Sequence, residues 1–108
     1  MKILASFTAL LLMVFGIQSM GEDAAGKTAF DTACKACHGP AGEGNPKIAQ
    51  MMKITLRPLG SKEVQARSDA EFKKIITQGS GKMKPVTRLS PKEVDEVVAF
   101  LRTLAPKK

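Results

Sequence analysis

The chain has 108 residues, with 17 lysines and arginines against 10 aspartates and glutamates, two cysteines, one histidine, five phenylalanines and neither tryptophan nor tyrosine. That length leaves room for one small domain, and a domain this small relies on a staple as well as on its core. The formal net charge is +7, but no aromatic residues interleave with the basic ones, which argues against nucleic acid as the partner.

Met1-Lys2 sets a positive charge ahead of an apolar run from Ile3 to Ile17. This reads as the hydrophobic region of a secretory leader and is short for a membrane span. Small residues flank Met20 at Ser19 and Gly21, so cleavage is expected after Gly21. The leader then covers residues 1–21 and the mature domain residues 22–108, about 87 residues. A retained leader would instead tether the same domain to the membrane. Both outcomes export it.

A helix is expected from Asp23 to Cys37, with Asp23 as N-cap and Ala24, Ala25, Lys27 and Ala29 as strong helix formers. Gly26 and Phe30 stand four apart and share a face. A glycine inside a helix costs about 1 kcal/mol against alanine, so a close packing contact is expected there.

The helix ends in Cys34-Lys35-Ala36-Cys37-His38, which holds both cysteines and the one histidine. CxxCH is the attachment signature of c-type haem. At i, i+3 and i+4 the three side chains share a helix face. Two thiols there can form thioethers with the haem vinyl groups, and the His38 imidazole then reaches the iron as proximal ligand. Other readings of the motif fall short. Zinc would lack a fourth ligand, a thioredoxin-like pair needs a βαβ context, and a disulfide leaves the adjoining histidine without a purpose. Thiols consumed by haem also suit an exported domain.

Gly39-Pro40-Ala41-Gly42-Glu43-Gly44-Asn45-Pro46 is a loop by its density of turn residues. The neighbourhood of Pro46 is expected to offer a carbonyl to the His38 ring N–H, the usual support of a metal-bound imidazole. A short helix follows over Pro46 to Lys53, with Ile48, Met51 and Met52 turned inward as core filler. Ser68-Asp69-Ala70-Glu71 reads as a capping box opening a helix that carries Phe72, Ile75 and Ile76 and ends at Gly79. Ser90-Pro91-Lys92-Glu93 repeats the signal with proline at the first helical position. Val94, Val97, Val98, Leu101 and Leu104 then form one apolar stripe. No segment sustains period-two alternation, so the fold class is all-α. Between the last two helices, Met83 sits in a glycine- and proline-bounded loop between Lys82 and Lys84. A soft thioether there suits the sixth position of haem iron and gives a His/Met pair.

Taken together, these features resemble the class I (monohaem) cytochromes c over roughly Asp23 to Leu104. The resemblance rests on the early haem motif, on Gly26 and Phe30 leading into it, on the Met83 loop, and on Val98-Ala99-Phe100-Leu101 in the last helix. It implies three main helices and a short one wrapped around a covalent haem. The terminal helices would cross where Gly26 meets Phe100. It also implies that Pro46 matches the proline whose carbonyl holds the histidine, and that Met83 is the distal ligand. Two departures stand out: Lys84 separates Met83 from Pro85, and the aromatic residues that often hold a haem propionate are absent. Arg57, Arg67, Gln65 and Gln78 are the candidates for that role.

One haem c, joined through Cys34 and Cys37 with iron between His38 and Met83, leaves no open coordination position. The expected function is therefore single-electron transfer in the periplasm by a non-enzymatic, monomeric carrier. Its partners would be redox proteins with an acidic docking surface, met by Lys35, Lys82 and Lys84 at the haem edge. A fixed haem subunit of a larger oxidoreductase is one alternative. An open-site sensor or peroxidatic protein, with Met83 off the iron, is another.

Overall fold

The structure is a computed structural model that describes residues 21–106, and side chains from residue 24 onward. The expected leader lies outside the described residues, apart from its last residue. Among the described residues six helices follow in order: α1 (Gly21–Ala33), α2 (Lys35–His38), α3 (Pro46–Met52), α4 (Lys62–Gln65), α5 (Asp69–Gln78) and α6 (Pro91–Thr103). Among the described residues no strand occurs, and one isolated bridge pairs Ser80 with Met83. The all-α expectation holds.

α1 starts at Gly21, two residues before the expected cap, so Asp23 lies inside its first turn. The helix also breaks earlier than expected, at Cys34, whose φ of −123° departs from the helical value.

The core forms where α1 crosses α6, and its pattern is legible in the chain. Phe30 has no exposed surface and its ring centre lies 5.1 Å from that of Phe100. Val94, Val97, Val98 and Leu101 are all buried on the α6 stripe, and Leu104 packs against them half-buried. Burying a side chain such as Phe30 contributes about 1.5–3 kcal/mol. Gly26 permits the crossing: a Cβ at this position would strike the Glu96 carbonyl oxygen and come within 3.0 Å of the Phe100 Cβ. The glycine expected to serve a close contact does so against α6.

The two predicted caps differ. At α6 the Ser90 hydroxyl accepts the Glu93 N–H at 3.2 Å and the Glu93 carboxylate accepts the Ser90 N–H at 3.0 Å, closing the box. At α5 the Ser68 hydroxyl accepts the Glu71 N–H at 3.1 Å, but the return bond is missing. Glu71 instead turns toward Arg67, 4.0 Å away.

The loop after His38 folds back on the end of α2. Gly44 N–H donates to the His38 carbonyl at 2.6 Å, Asn45 N–H to Cys37 at 2.9 Å, and the Asn45 side-chain amide to Ala36 at 3.1 Å. Carbonyls that a helix end leaves without partners are thus satisfied by the loop. Asn45 also caps α3, its Oδ1 accepting from Lys47 N–H at 3.0 Å.

Candidate haem-binding site

The CxxCH residues straddle the break between α1 and α2. Cys34 is buried, Cys37 is exposed, and both thiols are free. Burial pushes the Cys34 thiol up to about 11, because a thiolate there would lose its water. The nearby Arg88 guanidinium opposes that rise, and Cys37 adds to it. His38 is half-buried, and burial holds its pKa below the ordinary 6.5. Its Nδ1 is buried and has no hydrogen-bond partner. The bond expected from its ring N–H to a carbonyl near Pro46 is not made. Pro46 opens α3, and helical carbonyls point along the axis toward N–H groups four residues on.

Two cavities meet at this motif. The first, about 560 Å³, is bounded by α1, the segment 55–59, α5 and α6. The second, about 540 Å³, lies among α2, α3 and the segment 82–88. They share Cys34, His38, Leu56 and Met83 as lining residues. Each falls in the range of roughly 300–1,000 Å³ common for small-molecule sites.

The glycine- and proline-bounded loop that carries Met83 folds into a tight hairpin. The Met83 N–H donates to the Ser80 carbonyl at 2.9 Å and its carbonyl accepts the Ser80 N–H at 3.0 Å. Gly81, at φ 55°, makes the tight turn between them. This small hairpin leaves Met83 half-buried and lining both cavities. Gly79, at φ 79°, closes its base: a Cβ there would come within 2.6 Å of the Met83 carbonyl oxygen. Lys82 Nζ donates across to the Met52 carbonyl at 2.5 Å.

The methionines of α3 divide. Met52 and Ile48 line the second cavity, but Met51 points outward and is 74% exposed, against the expectation that it turns inward. Seven residues give barely two turns, and a face that presents Ile48 and Met52, four apart, turns Met51 away.

Of the four propionate candidates, Arg57 and Arg67 line the first cavity. Gln65 is engaged elsewhere, its amide donating to the Leu59 and Leu101 carbonyls at 2.9 and 2.8 Å. Gln78 lines neither cavity. Of the expected basic rim, Lys82 and Lys84 line the second cavity, joined by Arg88, which the sequence reading passed over. Lys35 lies elsewhere, on a groove beside Gly39 and Glu43. Among the described residues, no aspartate or glutamate lines either of the two cavities. The sequence reading also missed the segment 54–59. Its available signal was apolar Ile54 and Leu56 alternating with polar Thr55 and Arg57, a run too short to mark a strand; the structure half-buries the first pair and exposes the second.

The family model for cytochrome c matches residues 24–105. This chain belongs to the cytochrome c family. Cytochrome c-554(547) of Halothiobacillus neapolitanus is 32% identical over 89 residues, covering 78% of this chain and 98% of that protein. The solved structure of the KustC0563 c-type cytochrome is 27% identical with a TM-score of 0.65, over 75% of this chain and 98% of its own. Cytochrome cL from the marine methylotrophic bacterium Methylophaga aminisulfidivorans shares the fold at a TM-score of 0.62 and 24% identity, over 82% of this chain and 56% of that one.

As a cytochrome c the chain carries a covalently bound c-type haem with its iron, and Cys34 and Cys37 fit the attachment motif. Its function is haem-based electron transfer with redox proteins as partners. The residues present fit the group. Two free thiols border the second cavity, an uncharged imidazole has an unsatisfied ring nitrogen, and a thioether borders the same space. Imidazole and thioether are donors suited to haem iron.

Proposed function

We propose that this cytochrome c is a single-electron carrier of the periplasm, with His38 and Met83 as the axial ligands of its haem iron, and that it is not an enzyme. The observation that carries the reading is the convergence of α2 and the Ser80–Met83 hairpin: one nitrogen and one sulfur donor, from distant parts of the chain, border the same two cavities. When bound, the haem supplies an iron that changes its charge by one electron.

The protein's own residues would do the rest. Cys34 and Cys37 anchor the group through thioethers, and burial keeps His38 uncharged and available as a donor. The Ser80 bridge and Gly79 hold the Met83 backbone where the residue borders both cavities. The second cavity is rimmed by Lys82, Lys84 and Arg88, with no carboxylate among the described residues. Such a rim steers an acidic face of a redox partner and makes the association rate fall with salt. The apolar run Ile3–Ile17 supports export, with the leader removed after Gly21 and residues 22–108 forming the mature domain.

The test is the absorption spectrum of the purified holoprotein, ferric and ferrous, with and without carbon monoxide. A low-spin spectrum with the weak far-red iron–thioether band, lost in Met83→Ala, and no response to carbon monoxide is the expected result. A high-spin spectrum with ready carbon monoxide binding would remove Met83 from the iron and turn the reading to sensing or peroxide chemistry.

A further inference from the structure

Arg102, in the last turn of α6, lines neither cavity, yet all three of its guanidinium nitrogens are engaged on the segment 65–69. Nη1 donates to the Gln65 carbonyl at 2.8 Å and Nη2 to the Arg67 carbonyl at 2.6 Å. Nε and Nη2 both donate to Asp69 Oδ1, at 3.0 and 2.8 Å. The guanidinium carbon lies 4.6 Å from the centre of the Phe72 ring. Gln65 extends the grip, its amide holding the Leu59 and Leu101 carbonyls. Leu59, Arg67, Phe72 and Leu101 all line the first cavity. One planar, always-charged fork thus fixes the backbone on both sides of residue 66, which a lysine could not do.

Two cations line that first cavity. Arg57 is already paired with Glu63 at 2.8 Å. Arg67 has its nearest acidic neighbour, Glu71, at 4.0 Å, the edge of ion-pair distance, so its fork retains free donors. The surrounding lining is apolar at Leu59, Val64, Phe72 and Leu101. A carboxylate entering such a wall needs a paired cation to offset its lost hydration, and guanidinium matches carboxylate in two parallel bonds.

We propose that Arg102 is a positioning residue: by gripping the carbonyls of Gln65 and Arg67 it presents the Arg67 guanidinium at the first cavity as the cation that pairs with a carboxylate of the bound haem. The inference rests on the haem occupying these cavities, and it does not depend on which residue is the sixth ligand.

Redox titration of holoproteins tests it, with Arg67→Gln, Arg102→Gln, the double variant, Arg102→Lys and Arg57→Gln set beside the wild type. Removing a cation beside the haem favours the more positive ferric form, so R67Q lowers the midpoint. The expected shift is roughly tenfold in the reduced-to-oxidised equilibrium, about 59 mV for one electron. R102Q shifts it the same way by less, and the double variant falls no further than R67Q, because the two residues act through one contact. R102K retains the charge but loses the fork, and it follows R102Q instead of the wild type.

An unchanged midpoint in R67Q overturns the proposal, as do additive shifts of R67Q and R102Q, or a fall confined to R57Q. The Arg67 side chain is half-exposed, so R67Q keeps the test open should the Arg102 variants fail to fold. A midpoint that responds to Arg67 in a protein that binds carbon monoxide would uphold this inference while the carrier reading fell.

Discussion

The crossing of α1 on α6 and the segment from Gly39 to Arg67 are built on different terms. The crossing packs mostly on itself: Phe30, Val97, Val98 and Phe100 belong to one buried cluster, only Phe30 and Val97 of these four also border the first cavity, and Gly26 lets the backbones close. The segment has no fully buried large side chain. It is held by short helices, by loop hydrogen bonds such as Leu59 N–H to the Gly42 carbonyl at 2.8 Å, and by the Arg102 fork. Its half-buried apolar residues, Leu56 and Leu59 among them, face the first cavity. The comparison teaches that one half of this small domain makes its own core, while the other half is shaped around a core that the haem completes.

The largest effect should come from removing the staple. Cys34→Ala with Cys37→Ala abolishes covalent attachment, and a domain of this size then loses about 5 kcal/mol or more, which is most of what a small fold has. Amide exchange should show residues 39–67 losing protection first. Protection retained there would break the comparison.

Gly26→Val attacks the other region. Its side chain would meet the Glu96 backbone, which cannot swing aside as a side chain would. The expected cost is about 3 kcal/mol of stability in chemical denaturation, the upper end for overpacking. The haem spectrum should stay unchanged, because the residue lines neither cavity.

A smaller effect is expected from pH. His38 is held uncharged, its pKa lowered by burial from 6.5. Below that value the unfolded chain binds a proton that the folded chain does not, so stability is full above it and declines as pH falls toward the lowered value. The slope is at most about 1.4 kcal/mol per pH unit. Denaturant midpoints between pH 7.5 and 5.5 check it, and a flat profile would mean that the imidazole stays neutral in the unfolded chain as well, as it does where its bond to iron survives unfolding.

The caps give the finest comparison. Ser90→Ala should cost about 1 kcal/mol, because it opens a closed box on the helix that carries most of the buried core. Ser68→Ala should cost less, since only the forward bond is present. Thermal melts of the two variants rank them, and equal losses would show that the return bond from Glu93 adds nothing.

The sequence by itself determined the elements whose information is local. CxxCH names its chemistry through spacing alone, the serine caps and the α6 stripe mark their helices, and the glycines and prolines after His38 rule out a continuous helix. Helix ends were less legible: α1 begins before Asp23 and breaks at Cys34, because the tertiary packing around the motif overrides intrinsic propensity. Only the tertiary structure decided which residues enclose the cavities. Arg88, Leu56 and the Arg102 fork have no local signature, since their roles consist of contacts with residues tens of positions away. For the same reason Met51 and Met52, adjacent in sequence, end on opposite sides of the cavity wall, one in solvent and one within. A side chain's type and spacing follow from the chain, but the direction it faces in a short helix is set by what packs beneath it.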